Sequence, residues 1–493
     1  MWQVEDCFTK FVYPFLYPNR AEAFSLAARA IGGRTAPEAI APGARPLWIE
    51  QRFHGGELDN MLPYVQHYIR LPENQRRFIL NPEILSLLHD IRTARMAANQ
   101  PGFRFSSIDL YLFFNGVAFL VLEIQPSTAE NEKISISWIE DVNADLASLS
   151  RGQSIWLSRP ARTAPESGAD CLVRFLCGER TTLGEWIRNL LAPLCDGKAA
   201  FTSCKSMAGS FLPVYGAALA RRELSENGEI GRDTDAAFRQ FVTEHLMALR
   251  KTLPSTNRSR FAHELFDDPD HNYFPYHNVI HSQSLEGGFV LAYDNGAGHF
   301  RGVRSAAMQS FRTNYFYMML LAMHQRISIL QYAMAAADAA LVPERAALLR
   351  ELRQRVYDFT ARCYFSQASF SEERDQLYRR WQRAFHISQL YSELKEEIHD
   401  VDGFLEQLAR ERELESRERE LRQESRKTQV ISYVSFVLLP VTIVTGMIQA
   451  SPILASWLDF PHSPLRSSLI LLIMLAAASL LVSVAARTVR QNG

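Results

Sequence analysis

The sequence predicts an α+β membrane protein: a cytoplasmic α/β domain, a long helical stalk and two C-terminal transmembrane helices. Three observations predict it. Two runs, 430–449 (VISYVSFVLLPVTIVTGMIQ) and 468–486 (SLILLIMLAAASLLVSVAA), carry no charged residue, and each has the length that crosses a hydrocarbon core of roughly 30 Å. Residues 1–310 alternate strand, turn and helix signals. From Phe311 onward turn signals nearly vanish and helical patterns run up to the first apolar segment.

Within 1–310, the run 104–125 (RFSSIDLYLFFNGVAFLVLEIQ) sets two β-rich segments around Asn115-Gly116, the strongest short hairpin signal. A strand is expected at 46–53, and helices at 82–98 and 138–150. The stretch 159–168 (RPARTAPESG) reads as a loop. A second set follows: a strand at 171–176, a helix at 182–191 with Thr182 near its cap, a helix at 234–252, and a strand at 287–293. Residues 311–429 form the expected stalk, with helices at 311–341 and 343–370. After Ser371 no proline appears before Pro440. The run 406–427 (EQLARERELESRERELRQESRK) interleaves both charge signs, the pattern of a solvated helix laced with i,i+4 pairs. One helix continuing from this run into 430–449 would exceed roughly 60 Å.

The remaining divisions are an outer loop at 450–467 and a tail at 487–493. Basic residues flank the apolar pair on the outside: Arg422, Arg426 and Lys427 before it, Arg487 and Arg490 after it. The linker between the runs carries Arg466 against Asp459. The positive-inside rule then places both termini, and nearly all of the chain before residue 430, in the cytoplasm. The N-terminus shows no basic region followed by an apolar run, so no cleaved signal is expected.

Composition narrows the function classes. With 53 basic and 54 acidic residues, nothing favours nucleic acid as a partner. Cys7, Cys171, Cys177, Cys195, Cys204 and Cys363 include no C-x-x-C pair and read as reduced thiols. Nucleophile-elbow, P-loop, dinucleotide-binding and H-E-x-x-H motifs are absent, so no enzyme is expected and no catalytic residue is assigned.

Two constellations stand out. Thr428, Ser432, Ser435, Leu439, Thr442, Gly446 and Gln449 step alternately by four and three, a 3.5-residue seam that is mostly polar. Such a seam serves either helix packing through small residues or the lining of a pore shared by several copies. The run 263–281 (HELFDDPDHNYFPYHNVIH) holds four histidines and three aspartates, including His271 and His277. These are N/O donors that suit a divalent ion, and the same run also reads as a polar surface loop. Asp141 with Asp145, and Asp400 with Asp402, are carboxylate pairs of the same ambivalent kind.

The order of these parts resembles the CorA family of divalent metal-ion transporters. The sharpest local likeness is Leu439-Pro440-Val441-Thr442-Ile443-Val444-Thr445-Gly446, which is similar to that family's pore-helix segment. The family's Gly-Met-Asn signature is broken here: Gly446-Met447 is followed by Ile448-Gln449-Ala450-Ser451. The resemblance implies a CorA-like homopentamer in a bacterial inner (plasma) membrane, multi-pass, with no tightly bound cofactor. It implies transport of or regulation by Mg2+ or Zn2+/Co2+/Ni2+, and gating by the cytoplasmic domain. Leu439 would form the constriction, Thr442 and Gln449 polar rings, and Thr428 and Ser435 the inner half, with Ser451 a substitute oxygen donor at the mouth. Asp400, Asp402, His271 and His277 are the metal candidates. The partners implied are further copies, the bilayer and divalent cations, with no nucleic acid. A ligand-gated membrane effector or a non-conducting scaffold on the same fold are the alternatives.

Overall fold

A long first strand organises the α/β body. In the computed structural model β1 (Trp2–Leu16) lies at the centre of a ten-stranded sheet. The structure describes most of residues 2–457 and six positions beyond. Segments of three or more residues left undescribed before 457 are 18–20, 36–44, 97–99, 128–133, 149–155, 159–180, 196–204, 223–231, 261–267, 301–304 and 341–344. The chain divides into two units, Met1–His399 and Asp400–Gly493. The first therefore continues well past residue 310, the expected end of the α/β domain.

In chain order the first unit contains α1 (Ala21–Gly32), β2 (Trp48–Glu50), α2 (Pro63–Arg70), β3 (Gln75–Leu80), α3 (Pro82–Leu85), β4 (Arg92–Thr93), β5 (Phe103–Phe113), β6 (Val117–Pro126) and α4 (Ile136–Ala147). Then come β7 (Trp156–Ser158), β8 (Thr181–Thr182), α5 (Leu183–Cys195), β9 (Lys205–Ser206), β10 (Val214–Arg222), α6 (Arg232–Arg250), β11 (Asn272–Tyr276), β12 (Val279–Ser284) and β13 (Gly287–Tyr293). The C-terminal part adds α7 (Ala306–Ser310), a π-helical turn (Phe311–Tyr315), α8 (Phe316–Ala340), α9 (Arg345–Cys363), α10 (Glu372–Ala384) and α11 (Ile387–Trp457). The main sheet runs β11-β12-β13-β10-β1-β6-β5-β3-β2, with β9 also on β1. Only the β10–β13 pair among its neighbours is parallel.

Strand alternation assigns the two faces. On β1, Cys7, Phe11 and Phe15 join the apolar core built with α1, α4, α5 and α6. Phe8 and Lys10 point the other way, toward the π turn and the start of α8. The Asn115-Gly116 hairpin forms as its sequence directs, with Gly116 at φ 85° in the turn. Asn115 is itself buried. Its Nδ2 donates to Ser328 Oγ (2.7 Å), and its Oδ1 lies 3.1 Å from His324 Nε2, so the turn is clamped beneath α8.

Several expectations change. The expected α+β membrane protein with two transmembrane helices is corrected: among the described residues no helix is long and apolar enough to cross a membrane. The run 430–449 belongs to the 71-residue α11. Seven of its twenty residues (Ser432, Ser435, Pro440, Thr442, Thr445, Gly446, Gln449) gain little or nothing on leaving water. Within that run the side chains of Tyr433, Phe436, Val437, Pro440, Val441, Val444, Met447 and Ile448 lie outside what is described. The membrane, transmembrane-helix and ion-transport expectations, and the multi-pass inner-membrane location, are corrected with it. The run 468–486 is described at only six positions, and the tail 487–493 lies outside the described residues, as do 159–168 and 171–176.

Smaller corrections have local causes. The helix expected at 82–98 stops at Leu85, and Arg92–Thr93 pairs as a strand with β7. Downstream of Ser371 the helix is not continuous. α10 ends at Ala384 and His386 adopts φ 54°, a left-handed conformation that breaks the helical path before α11. The 406–427 run is helical within α11 as expected. Arg410–Glu406, Arg417–Glu413, Arg419–Glu415 and Arg422–Glu418 all pair at i,i+4, with each glutamate on the favourable N-terminal side.

Candidate functional site

Register aligns buried polar groups in one row across six strands on the α8/α10 face. Gln283 of β12 pairs with Gly288 of β13, which pairs with Tyr215 of β10. Tyr215 is opposite Lys10 of β1, Lys10 is opposite Glu123 of β6, and Glu123 is opposite Ser107 of β5. A sheet face buried under helices ordinarily carries Val, Ile and Leu at such positions. Here Gln283, Tyr215, Lys10 and Glu123 are all buried.

The row divides into a satisfied half and an unsatisfied half. In the satisfied half, Lys10 Nζ lies 2.9 Å from Glu123 Oε2, with both side chains 7% exposed. Arg312 of the π turn places Nε 3.3 Å from Glu123 Oε1, an ion pair without hydrogen-bond geometry, and donates from a terminal nitrogen to Asp6 Oδ1 at 3.2 Å. Ser106, brought inward by a bulge in β5, donates to Glu123 Oε1 (2.8 Å). Burial pushes the Glu123 carboxyl up, yet Lys10 and Arg312 outweigh it and hold the group below its usual value. Two cations meet two anions, so the cluster is neutral. The Lys10 ammonium and the Arg312 guanidinium also cover the rings of Phe316 (4.5 Å) and Phe8 (4.8 Å).

The unsatisfied half lies under α10 and the π turn. Gln283 Nε2 and Oε1, Tyr215 OH, His281 Nε2, Trp381 Nε1, Asn314 Oδ1 and Arg374 Nη1 are buried and have no hydrogen-bond partner. Native proteins leave few such atoms, and a concentration of them calls for an account. Gln283, Tyr215 and Trp381 lie close together. A Cβ on Gly288 would come within 2.6 Å of Trp381 Cη2, so the indole rests on the strand between Gln283 and Tyr215. The rings of Tyr215 and Trp381 are 6.5 Å apart, and those of Tyr215 and Phe316 5.6 Å. One row along, His281 stacks on Tyr315 at 5.3 Å and 17° and meets the edge of Phe311 at 5.7 Å. Burial, with Arg380 adding to it, lowers the His281 pKa to about 3, so the ring is neutral at physiological pH.

The π turn Phe311–Tyr315 serves both halves. Arg312 faces the ion cluster, while Phe311 and Tyr315 flank His281. Single π turns inside helices are rare and occur frequently at functional sites, because the wider turn redirects side chains at the expense of helical bonding. α10 closes the band through polar links at its start. Tyr315 OH and Tyr276 OH both donate to Glu373 (2.6 and 3.0 Å). Arg380 further along donates to the carbonyls of Pro269 (2.7 Å) and Asn272 (3.2 Å).

The residues singled out from sequence lie elsewhere, with one exception. His281, read as part of a metal-ligand run, is in the band in another role. His271 pairs with Asp268 (2.5 Å) and His277 is exposed. His263 lies outside the described residues. Asp141 accepts from the Ser255 backbone (2.8 Å), and Asp145 accepts from Thr93 Oγ1 (2.7 Å). Asp400 is exposed on α11, and the side chains of Asp402 and Ser451 lie outside what is described. Among the described residues no group of three or more His, Cys, Asp or Glu could hold a metal. Thr428, Ser432, Ser435, Leu439, Thr442, Gly446 and Gln449 are exposed along α11. The hydroxyls of Thr428 and Thr442 donate back to the carbonyls of Glu424 and Leu438, which gives them local partners.

Fold and site together define an α/β protein with helices on both sheet faces and a buried polar band between the sheet and its C-terminal helices. No family model, curated protein or solved structure matches the chain.

Proposed function

We propose that the chain is a ligand-responsive switch that holds a small polar molecule between the sheet and α10. The unpartnered buried Gln283 Nε2 and Oε1, Tyr215 OH and Trp381 Nε1, gathered in one strand row beneath α10, carry this reading. Each would cost about 1–3 kcal/mol as an orphan, and a ligand that meets several at once offsets that penalty. Trp381 is seated on Gly288, so a ligand entering beside it requires α10 to shift. α10 leads through Phe385 and His386 into the first turns of α11, where Ile387 and Leu394 are buried in the same unit. Arg326 holds this junction through the Phe385 carbonyl (2.6 Å). A displaced α10 therefore alters the origin of α11. From the CorA resemblance this reading keeps only regulation of an α/β body by a bound ligand.

Hydrogen exchange of residues 372–394, with and without a panel of sugars, amino acids, carboxylic acids and nucleosides, tests the proposal. A compound that protects this segment in the wild type but not in Tyr215→Phe/Gln283→Met supports it. If every compound leaves the segment unchanged, or protects the double variant equally, the switch reading is wrong.

A further inference from the structure

Resting on that ligand-binding reading, we infer that the ligand is a planar, uncharged heterocycle with a donor and an acceptor side by side on one edge, as a nucleobase has. Gln283 is the residue that selects it. Its amide projects from β12 with Nε2 and Oε1 both buried and both free. An amide in that state presents an in-plane donor–acceptor pair. The complementary partner is an acceptor–donor edge in one plane, the geometry by which Gln recognises the N6/N7 edge of adenine.

The surroundings fit a flat ring. Trp381, Tyr215 and Phe316 supply aromatic faces within one neighbourhood, beside the His281–Tyr315 stack. Such faces stack on any heterocycle, each contact contributing about 1–3 kcal/mol. The free groups beyond Gln283 include Trp381 Nε1, a donor; Asn314 Oδ1, an acceptor; and Tyr215 OH and the neutral His281 Nε2, each of which does either. That mixture matches the alternating edge of a base.

Charge argues in the same direction. Lys10 and Arg312 are engaged by Glu123 and Asp6, so neither is left for an anion. Arg374 Nη1 is, among the described residues, the unpartnered cationic atom of the band that faces no carboxylate in an ion pair, enough for a ring carbonyl and too little for a dicarboxylate or a polyphosphate. A sugar would leave the aromatic faces without a planar partner.

The experiment is calorimetric titration of the full chain with adenosine, guanosine, cytidine and uridine, beside glutamate, citrate and glucose. Binding of at least one nucleoside is expected, weakened about 10- to 100-fold in Gln283→Met. Tyr215→Phe, which removes one hydroxyl and keeps the ring, gives a second readout, and thermal unfolding verifies that both variants fold. Equal nucleoside affinity in wild type and Gln283→Met would overturn the inference. Binding of glutamate, citrate or glucose alone, abolished by either variant, overturns the heterocycle and leaves the ligand site standing. If no compound binds, both the heterocycle and the site fall.

Discussion

Replacing Glu123 by Gln removes the anion on which the satisfied half of the band depends. The side chains of Lys10, Glu123 and Arg312 are 7%, 7% and 10% exposed, so water cannot substitute for the lost charge. Arg312 keeps Asp6 at 3.2 Å, but Lys10 is left as a buried ammonium with no ionic partner at 2.9 Å. Breaking a buried pair from one side costs about 3–5 kcal/mol. Because only one of the two cations is stranded, the lower end, about 3 kcal/mol, is expected. The double change Lys10→Met/Glu123→Leu removes both charges and should recover at least half of that loss. Urea unfolding, read as a shift of midpoint at constant slope, measures both. A Glu123→Gln variant within about 0.5 kcal/mol of wild type would show that the cluster is solvated, and the description of a dry band would be wrong. The same cluster has an acid signature. The lowered Glu123 pKa means its contribution is complete above the usual carboxylate range and is lost as pH falls through the lowered folded value.

Other outcomes follow from the same packing. His281 and His324 are both held neutral by burial with pKa values of about 3, so the unfolded chain binds more protons than the folded one below pH 6.5. Stability should therefore decline as pH falls from about 7 toward 3, by about 2 kcal/mol per histidine at pH 5. His281→Phe should reduce that slope in pH-dependent urea melts, and an unchanged slope would contradict the assignment. Gly288→Ala would place a Cβ 2.6 Å from both the Ser282 carbonyl and Trp381 Cη2. It should cost about 1–3 kcal/mol and raise hydrogen exchange in α10, whereas a silent substitution would show that Trp381 does not rest on the strand. A peptide spanning 401–429 should be helical alone by circular dichroism and lose helicity in high salt, because its stability comes from Glu→Arg i,i+4 pairs.

The hairpin, the charged helix and the helices at 136–147, 183–195 and 232–250 were legible because local patterns determine them. Asn115-Gly116 needs a turn wherever it lies, and the 406–427 run carries its own ion pairs. The band was not legible. Tyr215, Lys10 and Glu123 are some 100–200 residues apart in sequence, and only strand register brings them into one row. Nothing in Phe-Arg-Thr-Asn-Tyr (311–315) announces a π turn, and the partners Arg312 reaches from it, Glu123 and Asp6, are far away in sequence. Lys10 and Glu123 read as solvated charges on any strand, and only the facing partner makes them interior residues. The 430–449 expectation rested on length and lack of charge, and among the described residues no helix is long and apolar enough to cross a membrane.

The stability of Gln283→Met in the ligand-free protein tests the central claim most directly. An amide buried with both atoms unpartnered should be a liability, so an apolar side chain of similar length should raise unfolding stability by about 1–3 kcal/mol. A loss of stability instead would mean that the Gln283 amide is already partnered in the free protein, and the band would be ordinary interior structure rather than a site.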